Sequence, residues 1–399
     1  MGKKQKKVKK VEINEEDNKF SLFEVIIIIL ISVIFGIIIG YSITYGNSNL
    51  SRVRSDTYLG EVVSAYNNIV DNYYDDLDEK NLSEAAIKGM ISSLDDPYSS
   101  FLDEGSSSSF NESVDGKYVG IGIAIEYYEE YNRITSIMDD SPAMKAGLEE
   151  GDIILSVDNK DCHNLYPEEI NQFFNGKNGS EISLEILRGD DRKTFTLKRT
   201  VIEIENVSGK VIDNSSNKIG YIKINIFASN SYEQFDKVFT RLEKKNIDSL
   251  IIDIRDNPGG HLHQAEEILN VFFDKKTVLY QTKVGNVKRK IYATTKESKN
   301  YPVIVLINGE TASSAEVVAA CFQDNYKNVH LLGSTSYGKG NVQKSISLST
   351  GTSIKFTIEE WLTPKGKSVH EKGIVPDIVV EQSPVYYVEY KDEYDIQLE

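Results

Sequence analysis

The sequence is poor in cysteine. Cys162 and Cys321 are its only two, they lie far apart, and neither sits in a C-x-x-C or other ligand spacing, so both read as incidental buried thiols and not as part of a disulfide framework or a thiolate metal site. Positive charge is also short. Lys and Arg number 45 against 61 Asp and Glu, for a net charge of −16, and no basic cluster occurs beyond the extreme N-terminus. Nucleic acid is thereby excluded as a partner, because phosphate contacts need a basic face. Histidine is scarce as well, with five: His163, His261, His263, His330 and His370. His261 and His263 stand at i and i+2, which cannot share a helix face for a metal ion, and they read as surface or capping residues. No metal and no cofactor are expected. The length of 399 residues leaves room for two or three domains.

Long apolar runs are absent except for one. Residues 25–45, "VIIIILISVIFGIIIGYSITY", carry no charge over 21 positions, enough for a helix to cross a hydrocarbon core of about 30 Å. Six lysines between Lys3 and Lys10 precede it, and the positive-inside rule then keeps the tail 1–24 in the cytoplasm and the remainder outside. No A-x-A site comes after it, so an uncleaved single-pass anchor in the membrane is expected through 25–45, in place of a signal peptide.

After the anchor, 46–115 reads as a helical region. Val62, Tyr66, Ile69 and Tyr73, then Ala86, Met90 and Leu94, recur at helical spacing; "DDPYSSFL" (95–102) closes it as a turn, and "GSSSSFNESVDG" (105–116) reads as a flexible joint. Residues 116–201 read as a unit of strands: "YVGIGIAIEY" with alternating isoleucines, "DIILSVDNK", and a hairpin around Gly189 and Asp190. This stretch resembles a PDZ domain, on "GIGI" (Gly120, Ile121, Gly122, Ile123), "SPAMKAGLEEGDIILSVDNKD" (141–161) and the hairpin's Arg188. The resemblance implies a glycine-rich turn that offers backbone N–H groups to a peptide's terminal carboxylate while the peptide adds a strand to the sheet edge. Protein substrates held by their C-termini are the partners it implies. Arg188 is expected to sense that groove.

Residues 202–385 alternate strands with helices. "SLIIDIR" (249–255), "PVIVLIN" (302–308) and "VHLLG" (329–333) look like buried strands, and "HQAEEILNVFF" and "SAEVVAACFQ" have helical spacing. This order implies parallel crossovers with sites at the C-terminal strand ends, where "DNPGG", "GETASS" and "STSYGKG" should converge. Gly333, Gly338 and Lys339 match the start of a phosphate-binding loop, but Gly340 occupies the place of the Mg²⁺-binding hydroxyl. The next stretch of chain, "NVQKSISL", alternates like a strand where a helix is required. Convergence gives Lys339 a different meaning. A serine at a helix start, a lysine and a Gly-Gly turn are the parts of an acyl-transfer site: nucleophile, base and oxyanion hole. Such a lysine must be brought from about 10.4 toward 7 or 8 by burial.

"DIRDNPGG", "NGETASSAEVVAAC", "YGKGNVQ", "TPKGKSVHEKGIVPDI" and the earlier "DDPYSSFL", five motifs between about Tyr58 and Ile378, together resemble the C-terminal processing peptidases, or tail-specific proteases. That resemblance implies an α/β fold with a PDZ domain and a crotonase- or Clp-protease-like core, and serine endopeptidase activity. It implies Ser313 as nucleophile, Lys339 as general base, Gln343 as the residue that orients the lysine, and Gly259 and Gly260 along the oxyanion hole. One departure stands out: the family's Ser-Ala-Ser is Ser313-Ser314-Ala315 here, so two hydroxyls are adjacent. Counting back from Glu316 selects Ser313, with Ser314 as a cap or first-turn residue. The frequent Lys, Asn and Ile suggest a bacterium, which places the expected anchor in a bacterial cell membrane with the catalytic part outside the cytoplasm. A homodimer is compatible with the family, and 386–399 forms an acidic tail. Two other classes remain open at this point, an inactive anchored PDZ scaffold and a crotonase-type enzyme.

Overall fold

A computed structural model describes residues 57–214, 217–296 and 298–381. Contacts divide the chain after Ala86 into two compact units. In the first, helix Tyr58–Asn72 is opened by Thr57, whose side chain accepts from the Gly60 N–H, and helix Glu79–Ser92 begins.

The second unit contains two apolar cores. The first core belongs to the six-stranded antiparallel sheet that includes Ile123–Tyr128, Tyr131–Ile137, Ile153–Val157, Glu181–Arg188 and Asp191–Lys198. Inward residues of this sheet, Ile134, Ile154 and Leu184, pack against Ile170 and Phe174 of helix Pro167–Phe174. The strand expected to run unbroken through "GIGI" is interrupted: Gly122 has φ 79°, and the strand starts again at Ile123. The segment expected as a flexible joint is a helix, Glu104–Asp115. Its serines are weak helix formers, but its ends are fixed: Asp103 accepts from the Ser106 N–H at 2.8 Å, and Gly116 closes it in the left-handed conformation.

The larger core surrounds a six-stranded sheet in the order Val207–Asn214, Asn217–Ile224, Ser249–Asp253, Val303–Ile307, Val329–Gly333, Ile378–Val379. All pairs after the first are parallel. Helices Ser231–Glu243 and Ser314–Asn325 meet on Phe272, two residues past the end of helix Leu262–Asn270, with Phe235 on Phe272 at 6.2 Å and Phe272 on Phe322 at 5.2 Å between centroids. Each such side chain contributes about 1.5–3 kcal/mol on burial. Ser314 through Phe322 are all buried, so the start of that helix cannot drift. A five-stranded sheet stands beside this core. Its longest strand, Ser353–Leu362, pairs with Ser100–Leu102, Asn341–Ser347 and Val278–Val284.

The single-pass anchor expected over 25–45, and the cell-membrane location drawn from it, are corrected at this level. Among the described residues no helix is long and apolar enough to cross a membrane. The longest, Tyr58–Asn72, has 15 residues, about 22 Å at 1.5 Å per residue, and includes Glu61 and Asp71. The fold class is therefore mixed α/β, with no membrane helix among the elements described. Residues 25–45 themselves lie outside the described residues, as do the tails 1–24 and 386–399.

Candidate active site

The three loops at the C-terminal ends of the parallel strands meet. Asn308 and Asp256 join two of them reciprocally, Asn308 Nδ2 donating to Asp256 Oδ1 at 2.8 Å and the Asp256 N–H to Asn308 Oδ1 at 3.0 Å. The Thr311 hydroxyl donates to the Ile254 carbonyl at 2.9 Å, the Ala312 N–H to the Asn257 carbonyl at 2.9 Å, and the Tyr337 N–H to the Thr311 carbonyl at 3.0 Å. These bonds set the turn that carries Ser313.

Ser313 has φ 55° and ψ −120°, a region that costs a non-glycine residue about 1–3 kcal/mol and is characteristic of sharp strand-to-helix turns that present a serine. Gly259 packs directly against it, since a Cβ there would come within 2.8 Å of the Ser313 Cβ. The Gly259 N–H is directed to Asn257 Oδ1 at 2.8 Å, whereas the Gly260 N–H enters no hydrogen bond among the described residues. Ser314 is fully buried, and its Oγ has no hydrogen-bond partner among the described residues.

Glu316 ties this turn to the lysine. Its carboxylate, fully buried, accepts from the Ser313 N–H at 2.9 Å and the Lys339 N–H at 2.8 Å on Oε2, and from the Gly338 N–H at 2.7 Å and the Ser336 hydroxyl at 2.5 Å on Oε1. Burial pushes this carboxyl above the usual carboxylate range, against the pull of the four donors. The single tryptophan completes the mount: Trp361 Nε1 donates to the Lys339 carbonyl at 2.8 Å. The Lys339 amine has no salt bridge among the described residues. It lies 5.7 Å from the centre of the Tyr98 ring. Burial and, after it, the like charge of Lys355 hold its pKa below the ordinary lysine value, while Glu316 and Asp96 pull the other way.

Gln343, on strand Asn341–Ser347, is in this neighbourhood, but its amide donates to the Tyr98 carbonyl and forms no hydrogen bond with Lys339 among the described residues. Gly120 ends strand Lys117–Gly120, which pairs with Thr200–Glu203, and Ile121, Gly122 and Ile123 lead from it into strand Ile123–Tyr128 at the edge of the six-stranded antiparallel sheet. Ile121, Gly122 and Ile123 line a cavity of about 1020 Å³ with Tyr118, Phe174 and residues of helix Glu104–Asp115. Gly122 is held tightly there, because a Cβ would come within 2.4 Å of the Ser141 Cβ. Arg188 is not brought to this cavity. Its guanidinium grips Asp152 with two bonds of 2.7 Å and also reaches Glu149 and the Gly147 carbonyl, which fixes the 147–152 turn.

Sequence reasoning passed over Glu316, which served only as a counting mark. The signal was present: Ser313 to Glu316 is a capping-box spacing. It also passed over the cluster of buried Asp253 and Arg255 with half-buried Lys223 and Tyr221 beneath the first loop, in which Arg255 Nε and the Tyr221 hydroxyl donate to Asp253 at 2.9 and 2.7 Å.

Residues 218–380 match the family model described as peptidase family S41, residues 133–188 match a PDZ domain, and residues 43–106 match the model described as activating protease CtpB N-terminal domain. The carboxy-terminal processing protease CtpA of Bacillus subtilis (strain 168) is 35% identical over 353 residues, 87% of this chain and 75% of that protein. The chain is a member of peptidase family S41. The carboxy-terminal processing protease CtpB of Bacillus subtilis (strain 168) is 35% identical to this S41 peptidase over 338 residues, 83% of this chain and 69% of the relative. Among solved structures, a photosystem II D1 C-terminal processing protease aligns with this S41 peptidase at 25% identity and a TM-score of 0.46, over 77% of this chain and 84% of the other. The sequence expectation of a C-terminal processing serine protease with a PDZ domain is met.

Proposed function

We propose that this S41 peptidase cleaves proteins it holds by their C-termini, with Ser313 as nucleophile and Lys339 as general base. What supports the reading is a strained, partly exposed serine and a half-buried lysine whose amine has no salt bridge among the described residues, their backbone N–H groups both held by the one carboxylate of Glu316. Lys339 in its neutral form removes the Ser313 hydroxyl proton as Oγ attacks the scissile carbonyl. The proton then passes from Nζ to the leaving amine as the C–N bond breaks, and an acyl ester on Ser313 is hydrolysed by a water that Lys339 deprotonates. The uncommitted Gly260 N–H and the Ser314 N–H at the start of helix Ser314–Asn325 are suited to hold the oxyanion. A carboxylate captured by the Gly120–Ile123 turn, with an apolar terminal side chain in the adjoining cavity, supplies the substrate's anchor.

The test is cleavage by the full chain of an unfolded protein with an apolar C-terminus, compared with the same protein amidated at that end. Loss of charge-assisted bonds to the carboxylate, worth about 1.5–3 kcal/mol, lowers kcat/KM about 10- to 100-fold. Equal rates for the two substrates contradict C-terminal recognition, and tail binding with no cleavage under any condition contradicts the peptidase reading.

Because only neutral Lys339 can accept the proton, kcat/KM rises as pH passes upward through the lysine's folded pKa. Lys355→Met removes the like charge, so the Lys339 pKa moves up and this acid limb moves to higher pH; activity at pH 7 falls severalfold and returns in alkaline buffer. A limb that stays in place would remove Lys355 from the control of the base.

A further inference from the structure

The loop 95–99 belongs to no function assigned so far, yet its Tyr98 ring is the group against the Lys339 amine. The loop is held at Asp96, at the Tyr98 backbone and at Ser99. Asp96 accepts from the Ser99 hydroxyl at 2.6 Å and the Tyr98 N–H at 3.1 Å, and Gln343 donates to the Tyr98 carbonyl. The His370 ring meets Tyr98 edge-on at 5.9 Å between centroids. His370 is itself packed against Gly340, where a Cβ would come within 2.6 Å of the His370 Cβ and 2.7 Å of its backbone nitrogen. The loop then runs into strand Ser100–Leu102, whose first residue pairs with Lys355. The grip on Tyr98 thus comes from both sides of Lys339: from Gln343, four residues after it in the chain, and from the strand that carries Lys355.

We infer that Tyr98 is a positioning residue for the general base: its ring covers the Lys339 amine against water, and Gln343 acts on the lysine through this loop by holding the Tyr98 carbonyl. The inference rests on the Ser313/Lys339 reading above. The groups that face Lys339 are Lys355 from strand Ser353–Leu362, Glu316 from helix Ser314–Asn325, and Asp96 and Tyr98 from the loop. An aromatic face attracts an ammonium, which favours the charged form, while cover against water disfavours it. At 5.7 Å the ring is near the outer limit of about 6 Å for that attraction, so cover dominates. Tyr98 adds no charge of its own, since burial, followed by the influence of Tyr337, Glu371, Asp96 and Glu316, raises its phenol pKa.

The experiment is kcat/KM against pH for the full chain, wild type and variants Tyr98→Ala, Tyr98→Phe and Gln343→Ala. Tyr98→Ala uncovers the amine, so the acid limb moves to higher pH, with a severalfold or greater loss at pH 7 that alkaline buffer largely restores. Tyr98→Phe keeps the wild-type limb. Gln343→Ala moves the limb in the same direction as Tyr98→Ala, and Tyr98→Ala/Gln343→Ala moves it no further than the larger single change. A Tyr98→Ala limb that is unmoved, or moved to lower pH, overturns the inference. If Tyr98→Ala does not fold, Gln343→Ala decides, and an unmoved limb in that variant overturns it equally. Lys339→Ala separates the two layers: wild-type activity there removes the dyad itself, whereas an inactive Lys339→Ala with unmoved limbs in the other variants removes only the role of Tyr98.

Discussion

Ser313→Ala in the full chain is expected to lower kcat on the order of 10⁶-fold, with Lys339→Met close to it because the two act as a unit, while Ser314→Ala keeps near wild-type activity. The asymmetry between the neighbouring serines comes from their surroundings. Ser313 is partly exposed at the turn against Gly259, whereas Ser314 is fully buried and its Oγ has no partner among the described residues. Deleting an unpartnered buried hydroxyl is close to neutral for stability. Lys339→Met carries a second signature. The lysine's folded pKa lies below its unfolded value, so burial of the charge costs stability in full below the folded pKa, and that cost disappears as pH rises past the unfolded value of about 10.4. The Met variant is therefore more stable than wild type at neutral pH, and its advantage shrinks toward alkaline pH in thermal melts across that range. An advantage that does not change with pH would mean that the lysine carries no buried charge.

Glu316→Gln has the second largest expected effect. The carboxylate accepts from four donors on two loops, and an amide of the same shape presents an NH₂ group to two of them. Hydrogen bonds to a buried charge are worth about 1.5–3 kcal/mol each, so a loss of about 3 kcal/mol is expected in denaturant titrations. The catalytic loss is expected to be larger than stability alone explains, about 10²-fold in kcat or more under conditions where the variant is fully folded. The reason is that Ser313 and Lys339 lose their common mount, and a displacement of about 1 Å has that cost. A folded Glu316→Gln with wild-type kcat would show that the clamp is structural only.

How far the sequence was readable depends on the range of the interactions involved. Parallel strands at 249–253, 303–307 and 329–333 follow from near-continuous apolar runs, and the strand character of 341–347 from its alternation, because these are local signals. Convergence of the three loops follows from parallel topology alone. Tyr98 escaped because its partner Gln343 is 245 residues away in the chain, and the same stretch carries a helix-stop signal that explains its composition without any site. The serine-rich segment was misread as a joint because propensity is weak there, while the helix Glu104–Asp115 is set by its caps and by contacts such as the Ser107 hydroxyl 2.7 Å from that of Ser353. Arg188 was placed by family pattern, and its charge is spent on Asp152, a partner 36 residues upstream. The membrane expectation rested on one run of residues, 25–45, outside the described chain, and no described helix supports it.

The central claim is a covalent ester on Ser313, and the most direct measurement is acid quench of the full chain during turnover of an unfolded C-terminally apolar substrate, followed by mass spectrometry with fragmentation across residues 311–318. The account predicts an acyl mass on Ser313 that is absent in Ser313→Ala and retained in Ser314→Ala. Substrate cleavage by Ser313→Ala, or an adduct localised to Ser314, would contradict it.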